Sequence, residues 1–201
     1  MRSAKELIGK PIYSVTDGRL LGTVKDIYVD SDMRHVTGLF VGSEGLFSRR
    51  ARLIPGDQVS VLGIDAVLTT ESDVIKDDSE FAPSQVWLRR DSVQGRIMNT
   101  AGGTKVGTVG DLLIDDDYKV VAFSLARVNV EGPIARNRIV ARTAVTDAGG
   151  FDGSIVVDLS EAEQPAMGVG GIAEPVSFEP YIQPAQSKET AEPDAEDDGS
   201  G

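Results

Sequence analysis

The chain has 201 residues, a formal charge of −12 and no cysteine. That acidity argues against a nucleic-acid scaffold, which presents a basic surface. The missing thiols exclude disulfides and thiolate metal sites, and they allow a reducing compartment. The charge is uneven, because residues 161–201 hold ten acidic residues and one lysine, a net of −9, which leaves −3 for residues 1–160. The opening "MRSAKELIGK" lacks the apolar core of a signal peptide. No run approaches the roughly 20 apolar residues that cross a bilayer, so the expectation is a soluble, cytoplasmic protein.

In chain order, "AKELIGK" suggests one helical turn. "PIYSV", the Asp-Gly turn of "TDGR" and the alternating "LLGTVKDIYVD" predict a β-hairpin. In its second strand Val24, Asp26 and Tyr28 share one face and Ile27 and Val29 the other. Neither face is purely apolar, as expected of a strongly curved strand. "SDMR" is a second turn, followed by the strand "HVTGLFVG" and the looser "SEGLFSRRAR". "LIPGDQVSVLG" and "DAVLTT" complete the set, with a short helical turn after Pro55. Short strands with turns every 8–12 residues predict a small barrel or sandwich. The in-strand glycines Gly22 and Gly107 fit barrel corners.

The pattern then recurs. Gly22, Thr23, Val24, Asp26 and Ile27 precede Gly107, Thr108, Val109, Asp111 and Leu112 by 85 positions. At the same offset Asp30 meets Asp115, Asp32 meets Asp117, Arg34 meets Lys119 and Val36 meets Val121. At offset 86, Gly9 and Lys10 match Gly95 and Arg96, and Arg50 and Arg52 match Arg136 and Arg138. The predicted organisation is one barrel over residues 1–75, a linker over 76–90, a second barrel over 91–160, and a tail over 161–201. The tail holds five of the nine prolines and most of the net charge, so it is expected to be disordered. Within it, "VSFEPYI" reads as a few incidental apolar residues of a solvated tail, with a short docking motif as the sharper alternative.

Both copies resemble the PRC-barrel family. Copy one carries the resemblance in "ELIGKPIYSVTDGRLLGTVKDIYVDSDMRHVTGLFV" and "RLIPGDQVSVLGIDAVL". Copy two carries it in "SVQGRIMNTAGGTKVGTVGDLLIDDDYKVVAFSL" and "RIVARTAVTDAGGFDGSIVV". Copy two has Ala141 where copy one has Pro55, which departs from the family's late hydrophobic-Pro-x-x-x-Val pattern. The resemblance implies an all-β tandem of small barrels that docks proteins and carries out no chemistry. Relatives occur in the cytoplasmic subunit of the purple bacterial reaction centre, in a ribosome maturation factor and in archaeal cell-division adaptors. The expected function is therefore a non-catalytic adaptor. The alternative is an accessory factor for RNA or ribosome assembly, or for a photosynthetic or cell-division membrane complex. Expected partners are proteins, with self-association open, direct nucleic-acid contact unexpected, and membrane association only through a partner.

No cofactor or metal is expected. Neither "DSDMR" nor "DDDYK" has the ligand spacing of a calcium loop, whereas aspartate favours turns by hydrogen-bonding its own backbone. Asp26 and Asp111 are read as structural, accepting backbone hydrogen bonds or pairing with a basic residue. His35 is the sole histidine and has no metal-binding or catalytic companion. The candidate protein-binding residues are Phe47, Arg49, Arg50 and Arg52 in copy one, with Arg136 and Arg138 in copy two. Arginine and aromatic side chains are favoured at interfaces.

Overall fold

A computed structural model describes residues 1–44 and 50–162, and these described residues are all-β apart from single helical turns. A leading strand, β1 (Arg2–Ser3), precedes the first copy, which runs β2 (Pro11–Ser14), β3 (Leu20–Thr23), β4 (Asp26–Val29), β5 (Val36–Glu44), β6 (Arg50–Pro55), β7 (Val59–Leu62) and β8 (Val67–Thr69). The connection holds β9 (Lys76–Asp77) and β10 (Leu88–Arg89). The second copy runs β11 (Ile97–Thr100), β12 (Lys105–Ile114), β13 (Val120–Val128), β14 (Ile139–Ala141), β15 (Val145–Asp147) and β16 (Ile155–Val157). The tail expected to be disordered from residue 161 instead begins inside the helical turn Leu159–Ala162, whose Ala162 is buried in the core because packing there offsets the ordering entropy, and residues 163–201 lie outside the described residues.

The two copies fold alike down to their irregularities. A parallel pair joins first strand to last in each, β2 with β8 and β11 with β16. The first hairpin slips register at the same place, between Ile12 and Tyr13 and between Met98 and Asn99. Glycine is required at that corner: Gly22 has φ +144°, and a Cβ on Gly107 would meet the Arg127 carbonyl oxygen at 2.2 Å. Lys10 donates to the Gly63 carbonyl at 2.9 Å, and Arg96 donates to that of Gly150 at 2.6 Å, so both pin the last hairpin's loop.

One expected correspondence is shifted. The ladders pair Val29 with Val36 and Ile114 with Val120, so Val36 corresponds to Val120 and not to Val121. Copy two's acidic turn is one residue shorter. Met33 and Tyr118 hold the same positive-φ position in the two turns, and the extra residue in copy one follows it.

The leading segments cross over between copies. The strand before copy one, β1, pairs with β12 of copy two (Arg2 with Ile114), and β10 pairs with β4 of copy one (Leu88 with Val29). The two acidic turns also meet, through a bridge between His35 and Lys119. Val36 N–H donates to the Tyr118 carbonyl at 2.9 Å and Val120 N–H to that of Arg34 at 2.8 Å. The main buried cluster accordingly draws on both copies, with Leu7, Ile12, Ile27 and Met33 beside Val93, Met98, Leu112 and Phe123. Burying one continuous apolar surface couples the two halves, because its area is removed from water only when both are in place. β4 is buried on both faces: one lies in the barrel interior and the other under the crossing segment.

Candidate functional site

Asp26 and Asp111 sit at the pseudo-symmetric centre of this exchange. Arg90 lies between them, with its Nε 2.9 Å from Asp26 Oδ1 and one terminal nitrogen 3.0 Å from Asp111 Oδ1. Asp26 Oδ2 accepts the Asp91 N–H at 3.0 Å, and Asp111 Oδ2 accepts the Lys5 N–H at 3.0 Å. Each aspartate thus caps the helical turn that leads into the other copy, Ala4–Leu7 or Arg90–Val93. Ser3 Oγ also donates to Asp111, and Arg89 approaches Asp26. Ala4 occupies in copy one the position of Arg90, so a single guanidinium serves both carboxylates. Burial opposes the charge of Arg90, but its hydrogen bonds to Asp26 and Asp111 outweigh this and hold its pKa above the ordinary value. The expected structural role of the two aspartates is met, and the basic partner lay in the "RR" that the sequence reading left in the linker.

The acidic turns are built as the turn reading requires. Asp30 accepts the N–H of Arg34 at 2.7 Å and of His35 at 3.1 Å, and Asp115 accepts those of Asp117 at 3.0 Å and Lys119 at 2.8 Å. The exposed His35 ring rests 3.2 Å from Asp30. Among the described residues, no group of three or more His, Cys, Asp or Glu side chains is placed to hold a metal ion.

The copies differ on their outer faces. On copy one, Tyr28, Phe40 and Leu53 form a second apolar cluster with Phe81 and Trp87 from the connection packed against it. Tyr28 and Phe40 meet edge-on at 6.2 Å, Tyr28 and Trp87 lie at 5.9 Å, and Phe81 and Trp87 at 5.5 Å. The Arg89 guanidinium lies 4.2 Å from the Phe40 ring centre, a cation–π distance. Burial pushes the Tyr28 phenol up to about 12. At the copy-two positions corresponding to Tyr28, Phe40 and Leu53 stand Leu113, Ser124 and Ile139.

Trp87 borders two clefts. One, of about 430 Å³, is lined by Leu39, Pro55, Gly56, Phe81, Trp87 and Tyr118, among others, with Asp57 and Asp117 also at its wall. The other, of about 450 Å³, lies between Tyr28, Gln85, Trp87, Arg89 and Phe151. Gly38 permits this arrangement, since a Cβ there would stand 3.0 Å from the Trp87 ring and 2.8 Å from the Ile54 carbonyl oxygen.

The arginines proposed from sequence are dispersed. Phe47 and Arg49 lie outside the described residues. Arg50 approaches Asp77 at 3.8 Å and Arg52 pairs with Glu44, both on the rim of the β5–β6 ribbon. Arg136 is exposed on the turn Pro133–Asn137. Arg138 takes the left-handed conformation that ends this turn, and its guanidinium bonds back to the carbonyls of Leu125 and Ala126. The structure therefore brings Arg50 and Arg52 to one rim and ties Arg138 to its own scaffold. Sequence reading missed the Phe81–Trp87 pair, whose signal was an aromatic-bearing segment in an otherwise acidic linker.

Two interlocked small β-barrels define a compact all-β scaffold with asymmetric outer faces. Residues 1–75 match the model of the PRC-barrel domain. The match stops short of copy two, which is related to it by the shared ladders and offsets. No curated protein matches the chain. Among the described residues, no helix is long and apolar enough to cross a membrane.

Proposed function

We propose that this chain is a cytoplasmic, non-catalytic adaptor that docks onto a larger protein complex through the outer face of copy one. The observation that carries this reading is the asymmetry of the outer faces. Copy one carries a buried aromatic cluster covered by the half-buried Phe81 and Trp87, which border clefts beside an arginine-bearing rim, whereas copy two has Leu113, Ser124 and Ile139 at the equivalent positions. Interface hot spots favour such aromatic and arginine anchors. The interlocked core supports the reading, because a rigid scaffold loses little conformational freedom when it binds.

The test is affinity capture from native-host extract, read by mass spectrometry, with wild type and an Arg50→Ser/Arg52→Ser variant. Both arginines are partly exposed and their ion pairs lie on the surface, so stability should change by no more than about 1 kcal/mol per pair. Capture of the same partner should weaken more than tenfold, since one hot spot is worth about 2 kcal/mol. Undiminished capture would remove the arginine rim from the interface.

A further inference from the structure

Copy two contains its own account of what the copy-one cleft can hold. The first residue of the helical turn that follows β6 in copy one is Gly56, and that of the turn that follows β14 in copy two is Arg142. The two are equivalent by register: Pro55 pairs with Gly38 and Ala141 with Ala122 on matching strands. Arg142 is 8% exposed. Its Nε donates to the Met33 carbonyl at 3.0 Å, and it also bonds the carbonyls of Asp32 and, at 3.4 Å, Val145. One copy's turn thus seats the other copy's guanidinium.

Reversing the copies places Asp117 and Tyr118 where Asp32 and Met33 stand. Both border the 430 Å³ cleft, opposite Gly56. No side chain from position 56 enters this space, and Leu39 stands where copy two has the larger Phe123. The charged and titratable groups around the cleft are the carboxylates of Asp57 and Asp117, the ring of His35 and the phenol of Tyr118, which accepts the Leu62 N–H at 3.0 Å. Lys119 lies 3.6 Å from Asp117. Phe81 and Trp87 provide π-faces, which attract a cation held over them.

We propose that the copy-one cleft binds an arginine side chain of a partner protein, carried on a short segment with an apolar neighbour. The guanidinium takes the place that Arg142 fills in copy two, and the neighbour packs on Trp87. A planar fork with five donors suits a turn of carbonyls edged by carboxylates, whereas a lysine offers a point charge. A volume of about 430 Å³ accommodates more than the arginine alone and lies within the usual range for a binding cleft, about 300–1,000 Å³. The adaptor reading supplies only the carrier of this arginine.

Trp87 is the only tryptophan, so its emission reports on the cleft. The full chain is titrated with acetyl-Leu-Arg-Leu-amide, and with the same peptide carrying citrulline or lysine in place of arginine. The arginine peptide should saturate with half-saturation at about 1 mM or below. The citrulline and lysine peptides should bind at least fivefold more weakly. Asp117→Asn should weaken the arginine peptide severalfold. Gly56→Arg should abolish its binding by occupying the seat, with circular dichroism confirming the fold, since the new Cβ would stand 3.0 Å from the Thr37 carbonyl oxygen. Equal binding of the citrulline peptide, or no saturation by the arginine peptide, overturns the proposal. So does full binding to a folded Gly56→Arg protein, which would direct the peptide to the second cleft beside Trp87. Native-partner capture separates the two readings: capture with no peptide binding sinks the arginine seat alone, and peptide binding with no capture sinks the adaptor reading alone.

Discussion

Copy one and copy two share a barrel and differ in what fills the space around it. The shared parts are those that closure requires: the parallel first-to-last pair, the glycine corner, the turn aspartates and the central carboxylate. The differing parts lie where closure makes no demand. Copy one has Gly56, Leu39 and an aromatic wall, and copy two has Arg142, Phe123 and a plain outer sheet. A duplicated fold can thus fill with a side chain in one half the space that it leaves as a cleft in the other. The exchange of leading strands means that neither half need be stable alone.

The comparison breaks most severely at Arg90. Replacement by alanine removes the cation that the two buried carboxylates share, leaving Asp26 only the more distant Arg89 at 3.8 Å. Removing one partner of a buried ion pair costs about 3–5 kcal/mol, and urea unfolding should register a loss of that order. Because Asp26 and Asp111 belong to different copies, unfolding followed by Trp87 emission and by circular dichroism should remain a single coincident transition. Two separated transitions would show that the copies fold independently.

Alkaline pH should act through an aromatic that only copy one possesses. Tyr28 is held up to about 12 by burial, with the nearby Arg89 charge partly opposing, against about 10 for an unfolded tyrosine. Between these values the folded state keeps its proton while the unfolded state has lost it. Stability is therefore complete below pH ~10 and falls as pH rises towards 12, by at most about 2–3 kcal/mol. Tyr28→Phe should flatten this decline in part. Burial also raises Tyr118, so a remainder is expected. A spectrophotometric titration should show the Tyr28 phenol ionising late, and an unchanged alkaline profile in Tyr28→Phe would refute the assignment.

A smaller effect sharpens the filler role of copy two. Arg142→Ala removes the bonds to the Asp32, Met33 and Val145 carbonyls and opens in copy two the space already present in copy one. The expected loss is about 1–3 kcal/mol, as for buried polar groups left unpaired. Amide exchange should accelerate mainly around residues 32–36. A loss confined to residues 142–145 would mean that the guanidinium does not brace the opposite turn.

The repeat, the all-β class, many of the short strands and the helical turns at Ala4–Leu7 and Gly56–Gln58 were legible in the sequence alone. These follow from local periodicity, turn residues and glycine placement, each of which acts within a few residues. It also marked Asp26 and Asp111 as structural, because the same aspartate recurred in the same strand context. Only the tertiary structure decided that Leu88–Arg89 and Arg2–Ser3 exchange places, that Arg90 joins the two aspartates, and that Val36 corresponds to Val120. A two-residue strand has no periodicity to read, and an ion pair spanning 64 positions leaves no local pattern. The open seat beside Gly56 was hidden for the same reason. A glycine reads as a turn residue, and the space it leaves is bounded by a turn of the other copy that is distant in sequence.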